Sequence, residues 1–183
     1  MRIGGGEAKG IHIKSPKGIR TRPTADKLRE AIFDMLGERV TGAKVLDLFA
    51  GSGALGIESL SRGAEFAVFV EKDRTAARII EENLAKTGLS SKAQLIRADF
   101  RLAIKRLHRE QRRFDLIFLD PPYQADLVGD MVFGLDSHLL VEPNAVIVYE
   151  HFKKTAPPAS ISGLPLAETR QYGQTSLSYF CGR

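Results

Sequence analysis

Lys44-Val45-Leu46-Asp47-Leu48-Phe49-Ala50-Gly51-Ser52-Gly53-Ala54-Leu55-Gly56 passes from an apolar stretch through one acid into glycines at i, i+2 and i+5. The first half reads as a strand buried on both faces, and residues near 54 to 62 read as a helix. Strand, glycine turn and helix in that order open a βα unit. The same alternation continues downstream. Strands are expected at 66–70, 93–96, 114–119 and 145–149. Helices are expected at 73–87, where Gly88 ends the run, at 100–112 and near 126–140. Repeated βα units of this spacing imply parallel strands joined by right-handed crossovers.

The tail breaks the pattern. Ala156-Pro157-Pro158-Ala159-Ser160 reads as a loop, and strands at 166–172 and 175–181 are separated only by Gly173-Gln174. So short a turn makes an antiparallel hairpin. On the other side of the opening unit, Thr24 is a candidate N-cap for a helix reaching about Leu36, with Leu28, Ile32, Met35 and Leu36 on one face. Before it, Ile11-His12-Ile13-Lys14 alternates between Gly4-Gly5-Gly6 and Ser15-Pro16-Lys17-Gly18, as a small hairpin would. The expected organisation is a basic extension over 1–22 and an α/β domain over 23–183.

Composition narrows the class. The chain has 183 residues, 43% hydrophobic and 27% charged, which suits one globular domain and excludes disordered or collagen-like chains. Cys181 is the single cysteine, so no internal disulfide forms and a reducing compartment fits. No apolar run has bilayer-spanning length and no signal-peptide pattern opens the chain, so a soluble, cytoplasmic protein is expected. His12, His108, His138 and His151 are scattered and suggest no metal site. Arg2, Lys9, Lys14, Lys17, Arg20 and Arg22 stand against Glu7 alone; their net of +5 equals the formal charge of the whole chain. A polyanion held by residues 1–22 follows from that placement. Arg101, Lys105, Arg109 and Arg112 form a secondary basic helix face.

The chemistry concentrates at strand ends. Gly51, Gly53 and Gly56 match the dinucleotide fingerprint, with Glu71 about 20 residues on, so a nicotinamide enzyme is one candidate. Asp47, at the end of its strand, would repel a pyrophosphate and favour a cationic ligand such as S-adenosylmethionine. Phe49, Gly51, Ser52 and Gly53 would lie against that ligand. Glu71, with Lys72 beside it, suits ribose hydroxyls. Asp99 suits an adenine amine with Phe100 against the ring, or caps the following helix, or both. Asp120-Pro121-Pro122-Tyr123 is the most specific feature. Two prolines remove two donors, leave carbonyls free and hold the segment rigid. Asp120 and the Pro121 carbonyl can then accept the two N–H bonds of an exocyclic amine while Tyr123 stacks on its ring.

Asp47-Leu48-Phe49-Ala50-Gly51-Ser52-Gly53 followed by Asp120-Pro121-Pro122-Tyr123 resembles the amino-methyltransferases that use S-adenosylmethionine. Met1-Arg2-Ile3 with Gly10, Thr21-Arg22-Pro23-Thr24, Arg29-Glu30-Ala31-Ile32-Phe33 and Tyr172-Gly173-Gln174-Thr175 resemble the RsmD family of 16S ribosomal RNA guanine-N2 methyltransferases. The resemblance runs from residue 1 to about 180. It implies a Rossmann-like class I methyltransferase fold with seven strands, mostly parallel, a C-terminal antiparallel hairpin and a small N-terminal β-hairpin that helps bind RNA. It further implies catalytic roles for Asp120, Pro121, Pro122 and Tyr123, and methylation of guanine 966 in 16S rRNA within a partly assembled 30S subunit. A monomer is expected. The alternatives are an adenine-N6 methyltransferase on DNA or RNA, a nicotinamide oxidoreductase, and a non-catalytic RNA-binding subunit. The Asp120 to Tyr123 segment weighs against the last two.

Overall fold

The computed structural model describes residues 1–16, 23–122, 127–138 and 140–182. Strands β1 (Lys44–Asp47), β2 (Phe66–Val70), β3 (Ala93–Ile96), β4 (Phe114–Leu119), β5 (Val141–Phe152), β6 (Ser160–Ile161), β7 (Leu164–Tyr172) and β8 (Thr175–Cys181) form one sheet. Helices α1 (Pro23–Leu36), α2 (Ala54–Ser61), α3 (Arg74–Thr87), α4 (Phe100–Arg109) and α5 (Leu127–His138) cover it. The order β3-β2-β1-β4-β5-β8-β7-β6 is parallel from β3 to β5 and antiparallel beyond. The sheet therefore has eight strands where seven are expected, the addition being the two-residue β6. After β1 the chain builds toward β3, then returns to lay β4 on the other side of β1. That reversal makes a topological switch point at the carboxyl ends of β1 and β4, where open α/β sheets bind ligands.

Alternate residues of each strand feed two cores. Leu116, Phe118, Val146 and Val148 pack toward α1, α2 and α3. Ile117, Leu119, Ile147 and Tyr149 pack toward α4 and α5. Helix ends follow local chemistry. Asp73 caps α3 by accepting from Ala76 N–H at 2.8 Å, and Gly88 at φ 74° stops it. Helix α4 stops at Arg109, short of the expected 112, because Gln111 turns left-handed and the Arg112 N–H reaches back to Leu107 O at 3.0 Å. Helix α1 starts at Pro23, so Thr24 lies inside its first turn rather than capping it; proline suits that first position because its missing N–H would have no partner there.

Residues 1–3 pair antiparallel with 11–13, through Ile3 N–H to Ile11 O (3.0 Å) and Ile13 N–H to Met1 O (2.9 Å). This small pairing lies on the body. Ile3, Ala8 and Ile13 are buried in the same core as α1, α2 and α3. Gly6, at φ 75°, would drive a Cβ to 1.7 Å from Ser61 O, so only glycine lets the segment close on the end of α2. Glu58, almost wholly buried on α2, accepts from Gly4 N–H (2.8 Å) and Arg62 Nε (2.9 Å) and pairs with buried Arg29 of α1 (3.4 Å). Arg29 in turn donates to Arg2 O at 2.6 Å. One buried acid thus ties the N-terminal segment to two helices, with its charge met from both sides. Among the described residues no helix is long and apolar enough to cross a membrane.

Candidate active site

At the switch point lies a cleft of about 510 Å³. From the β1 turn it is lined by Phe49 and Gly51, from the end of β2 by Glu71 and Lys72, from the end of β3 by Asp99 and Phe100, and from the end of β4 by Asp120, Pro121 and Pro122. Nine residues singled out in the sequence therefore converge on one space. Parallel strands in register bring this about, since each ends on the same sheet edge. Phe49 and Phe100 meet with ring centroids 5.2 Å apart, tilted by 48°, and form an apolar wall.

The glycine turn is built from below. Glu71 accepts from Gly51 N–H through Oε2 (2.9 Å) and from Asp73 N–H through Oε1 (2.8 Å). Each carboxylate oxygen keeps a second acceptor position for a ligand hydroxyl. Gly53, at φ 78°, takes the left-handed conformation at the start of α2. Gly56 lets α2 lie against β2, because a Cβ there would come within 2.3 Å of the Phe69 ring.

Asp47, Ser52 and Gly53 do not line the cleft; they sit behind it. Asp47 is 2% exposed and accepts from Gly56 N–H at 3.2 Å. Burial pushes its carboxyl up to about 7; the Gly56 N–H pulls the other way, and the charges of Asp120 and Glu71 add to the rise. Ser52 is buried, and its carbonyl accepts from Asn83 at 2.9 Å. Asp99 also performs its capping role, accepting from Arg101 N–H at 3.0 Å.

Asp120 opens onto the cleft with no hydrogen-bond donor to its carboxylate among the described residues. The cleft walls strip part of its hydration, which raises the carboxyl to about 6. Pro121 is buried and Pro122 exposed, and the Pro122 nitrogen offers no N–H to the acid or to the carbonyl before it. Among the described residues neither the Asp120 carboxylate nor the Pro121 carbonyl, at the end of β4, has a hydrogen-bond donor. Tyr123 lies outside the described residues.

YlbH of Bacillus subtilis is 37% identical over 180 residues, 98% of each chain. Ribosomal RNA small subunit methyltransferase D of Escherichia coli is 31% identical over 176 residues, 96% of this chain and 87% of its own. The solved structure of a Thermus thermophilus hypothetical protein superposes with a TM-score of 0.84 at 35% identity, covering 98% of both chains. A family model described as "Conserved hypothetical protein 95" matches residues 1–181. The chain belongs to the RsmD family. Its architecture is the class I methyltransferase fold.

For this RsmD-family chain the structure also adds residues that sequence reasoning missed. Leu48, Val70, Ala98 and Leu127 complete the cleft wall. Arg101, expected on a basic helix face, stands at the cleft instead: its guanidinium lies 4.6 Å over the Phe100 ring and pairs with Asp99 and Asp130. Its place in the first turn of α4, directly after Asp99-Phe100, was the available signal. Asn83 of α3 had none. Its buried amide accepts from Lys14 N–H (2.8 Å) and donates to Lys14 O (3.0 Å) and Ser52 O (2.9 Å). It thereby clamps the N-terminal segment and the glycine turn together. Of the basic residues expected to hold a polyanion, Arg2 and Lys9 are exposed, while Lys14 is paired with Glu82 at 2.7 Å. Lys17, Arg20 and Arg22 lie outside the described residues.

Proposed function

We propose that the protein transfers a methyl group from S-adenosylmethionine to the exocyclic N2 of a guanine in 16S rRNA, at position 966, within a partly assembled 30S subunit. The observation that carries this reading is the Asp120-Pro121-Pro122 segment, which lines a cleft flanked by acids at three strand ends and whose Asp120 carboxylate meets no hydrogen-bond donor among the described residues. The E. coli relative named above is a small-subunit rRNA methyltransferase, which supports rRNA as the substrate.

The cleft fits the cofactor. Glu71 retains acceptor capacity for ribose hydroxyls, Asp99 and Phe100 suit the adenine, and Phe49 with Gly51 suits the methionine end, with Ser52 and Gly53 shaping the turn behind them. Lys72 stands exposed at the rim, and buried Asp47 places a titratable acid beneath the cationic end. When bound, S-adenosylmethionine supplies a methyl group already activated by its sulfonium. The chain's own task is the nucleophile. Asp120 and the Pro121 carbonyl accept the two N–H bonds of the amine and aim the nitrogen, so that positioning supplies much of the rate. As positive charge grows on that nitrogen, the Asp120 carboxylate stabilises it. Loss of hydration in the cleft raises the Asp120 carboxyl above its ordinary range, which makes its carboxylate a better acceptor for the departing proton. A base inside structured RNA must be turned out of its stack to reach this depth. In this reading residues 1–22 contribute basic contacts to RNA, residues 23–183 carry the chemistry, and the protein acts as a monomer.

The test is labelled S-adenosylmethionine with small-subunit RNA, naked and protein-bound, from cells lacking this activity. The RNA is digested and the labelled nucleoside identified by mass. Labelled N2-methylguanosine is the expected result; labelled N6-methyladenosine overturns the target, and no label on any RNA overturns the enzymatic reading.

A further inference from the structure

A second concavity, of about 700 Å³, runs beside α4 and shares Ala98 with the active-site cleft. Its surroundings are strongly basic. Between residues 97 and 113 seven lysines and arginines stand against Asp99 and Glu110, a net of +5 in seventeen residues. That local excess matches the one at residues 1–22, where Lys14 is already met by Glu82. Some of the α4 charges are likewise spoken for. Arg97 pairs with Glu81, Arg101 with Asp99 and Asp130, and Arg106 with Glu110.

Lys105 and Arg109 differ. Both line the concavity, both are exposed, and neither has an acidic partner among the described residues. They are four residues apart on one face of α4, so one strand of polyanion laid along the helix meets both. Leu102, three residues before Lys105 on the same wall, is 62% exposed and offers an apolar surface to a sugar or base between phosphates.

We propose that this α4 cleft is an RNA-binding surface that takes backbone phosphates of the strand flanking the target nucleotide. It rests on the reading of the protein as an rRNA methyltransferase and adds a second hold beside the N-terminal one. The two concavities share Ala98 as a lining residue, so the basic one adjoins the active-site cleft and lies within reach of RNA held there. A concave basic cleft suits a single polyanionic strand better than a flat lipid surface.

The test is binding of a small-subunit RNA fragment at several salt concentrations. Wild type is compared with Lys105→Ala/Arg109→Ala and with Lys153→Ala/Lys154→Ala, which removes two exposed charges elsewhere. Loss of two phosphate contacts lowers the slope of log affinity against log salt by about 1.4 for single-stranded RNA. The α4 variant should show that loss, a several-fold higher KM for RNA, and unchanged kcat and cofactor affinity. Lys105→Arg/Arg109→Lys should restore the slope. An unchanged slope in the α4 variant, or an equal loss in the Lys153/Lys154 control, overturns the proposal, as does a wild-type protein that fails to bind the RNA. A wild type that binds RNA but labels nothing overturns the methyltransferase reading alone, and the slopes still decide the α4 cleft.

Discussion

Asp47 and Asp120 close the neighbouring parallel strands β1 and β4, and both carboxyls are raised, but their surroundings differ. Asp120 faces the cleft with free acceptor positions. Replacing it with asparagine keeps the shape but puts an N–H donor where the proposed target amine would need an acceptor. Methyl transfer should fall about 10²- to 10³-fold, the usual effect of losing one transition-state contact. Binding of S-adenosylhomocysteine, read by calorimetry, should stay within about twofold; turnover near wild type removes Asp120 from the mechanism. Asp47 is sealed beneath the glycine turn. Its carboxyl rises from 3.8 to about 7 on folding, so between those values the folded state holds a proton that the unfolded state releases. Stability from this group is present below about pH 4 and is lost as pH rises through about 7. Asp47→Asn retains an acceptor for the Gly56 N–H and cannot titrate. Its unfolding free energy should decline less between pH 4 and 7.5 than that of wild type, by on the order of a few kcal/mol. Parallel declines in urea denaturation would show that Asp47 does not titrate in this range.

Among the elements, helix α2 is the one whose seat is most exacting. Gly56 faces the Phe69 ring so closely that Gly56→Ala must push α2 off β2, at a cost of about 1–3 kcal/mol. Phe69→Leu in the same chain should return part of that loss, so the two changes should be less than additive in denaturation midpoints. Elements of this kind were largely legible in advance. The limits of β2, β3, β4 and β8 match the expected runs because those strands end at polar or glycine residues, and β2, β4 and β8 are also largely buried. Strand β5 starts at Val141, earlier than the apolar run, because Glu142, Pro143 and Asn144 hide the extended backbone from any hydrophobic pattern. Two residues of β6 are too few to show a period. Strand-end acids could be read because parallel strands place their ends together. The depth of Asp47 and the bonds of Asn83 could not, since they depend on partners brought together only by the fold: Lys14 is 69 residues from Asn83.

At the scale of the whole molecule, residues 1–16 combine two features that sequence kept apart. Their charges suggest an accessory arm, yet Ile3, Ala8 and Ile13 belong to the main core. Deleting residues 1–13 should therefore lower the unfolding temperature by many degrees, beyond any effect on RNA, because each buried isoleucine alone contributes about 1.5–3 kcal/mol. Arg2→Ala/Lys9→Ala leaves that core intact. It should weaken RNA binding and flatten its salt dependence while shifting stability by no more than about 0.5 kcal/mol. Unaltered RNA binding in this variant would place the hold elsewhere on the protein.

The seating of those first residues also bears on how the chain is made. Gly4 is held by Glu58, Lys14 by Asn83, the His12 carbonyl by Lys86, and Glu7 by Lys92. None of these partners exists when the amino terminus leaves the ribosome. At about 5–20 residues per second, the delay before Lys92 is synthesised is roughly 5–20 s. Until those partners are made, this basic segment carries isoleucines with no core to join. Its docking onto α2 and α3 is a long-range closure across 54 to 85 residues, and every partner in it precedes β3, so the strap can close once the first half of the chain is made.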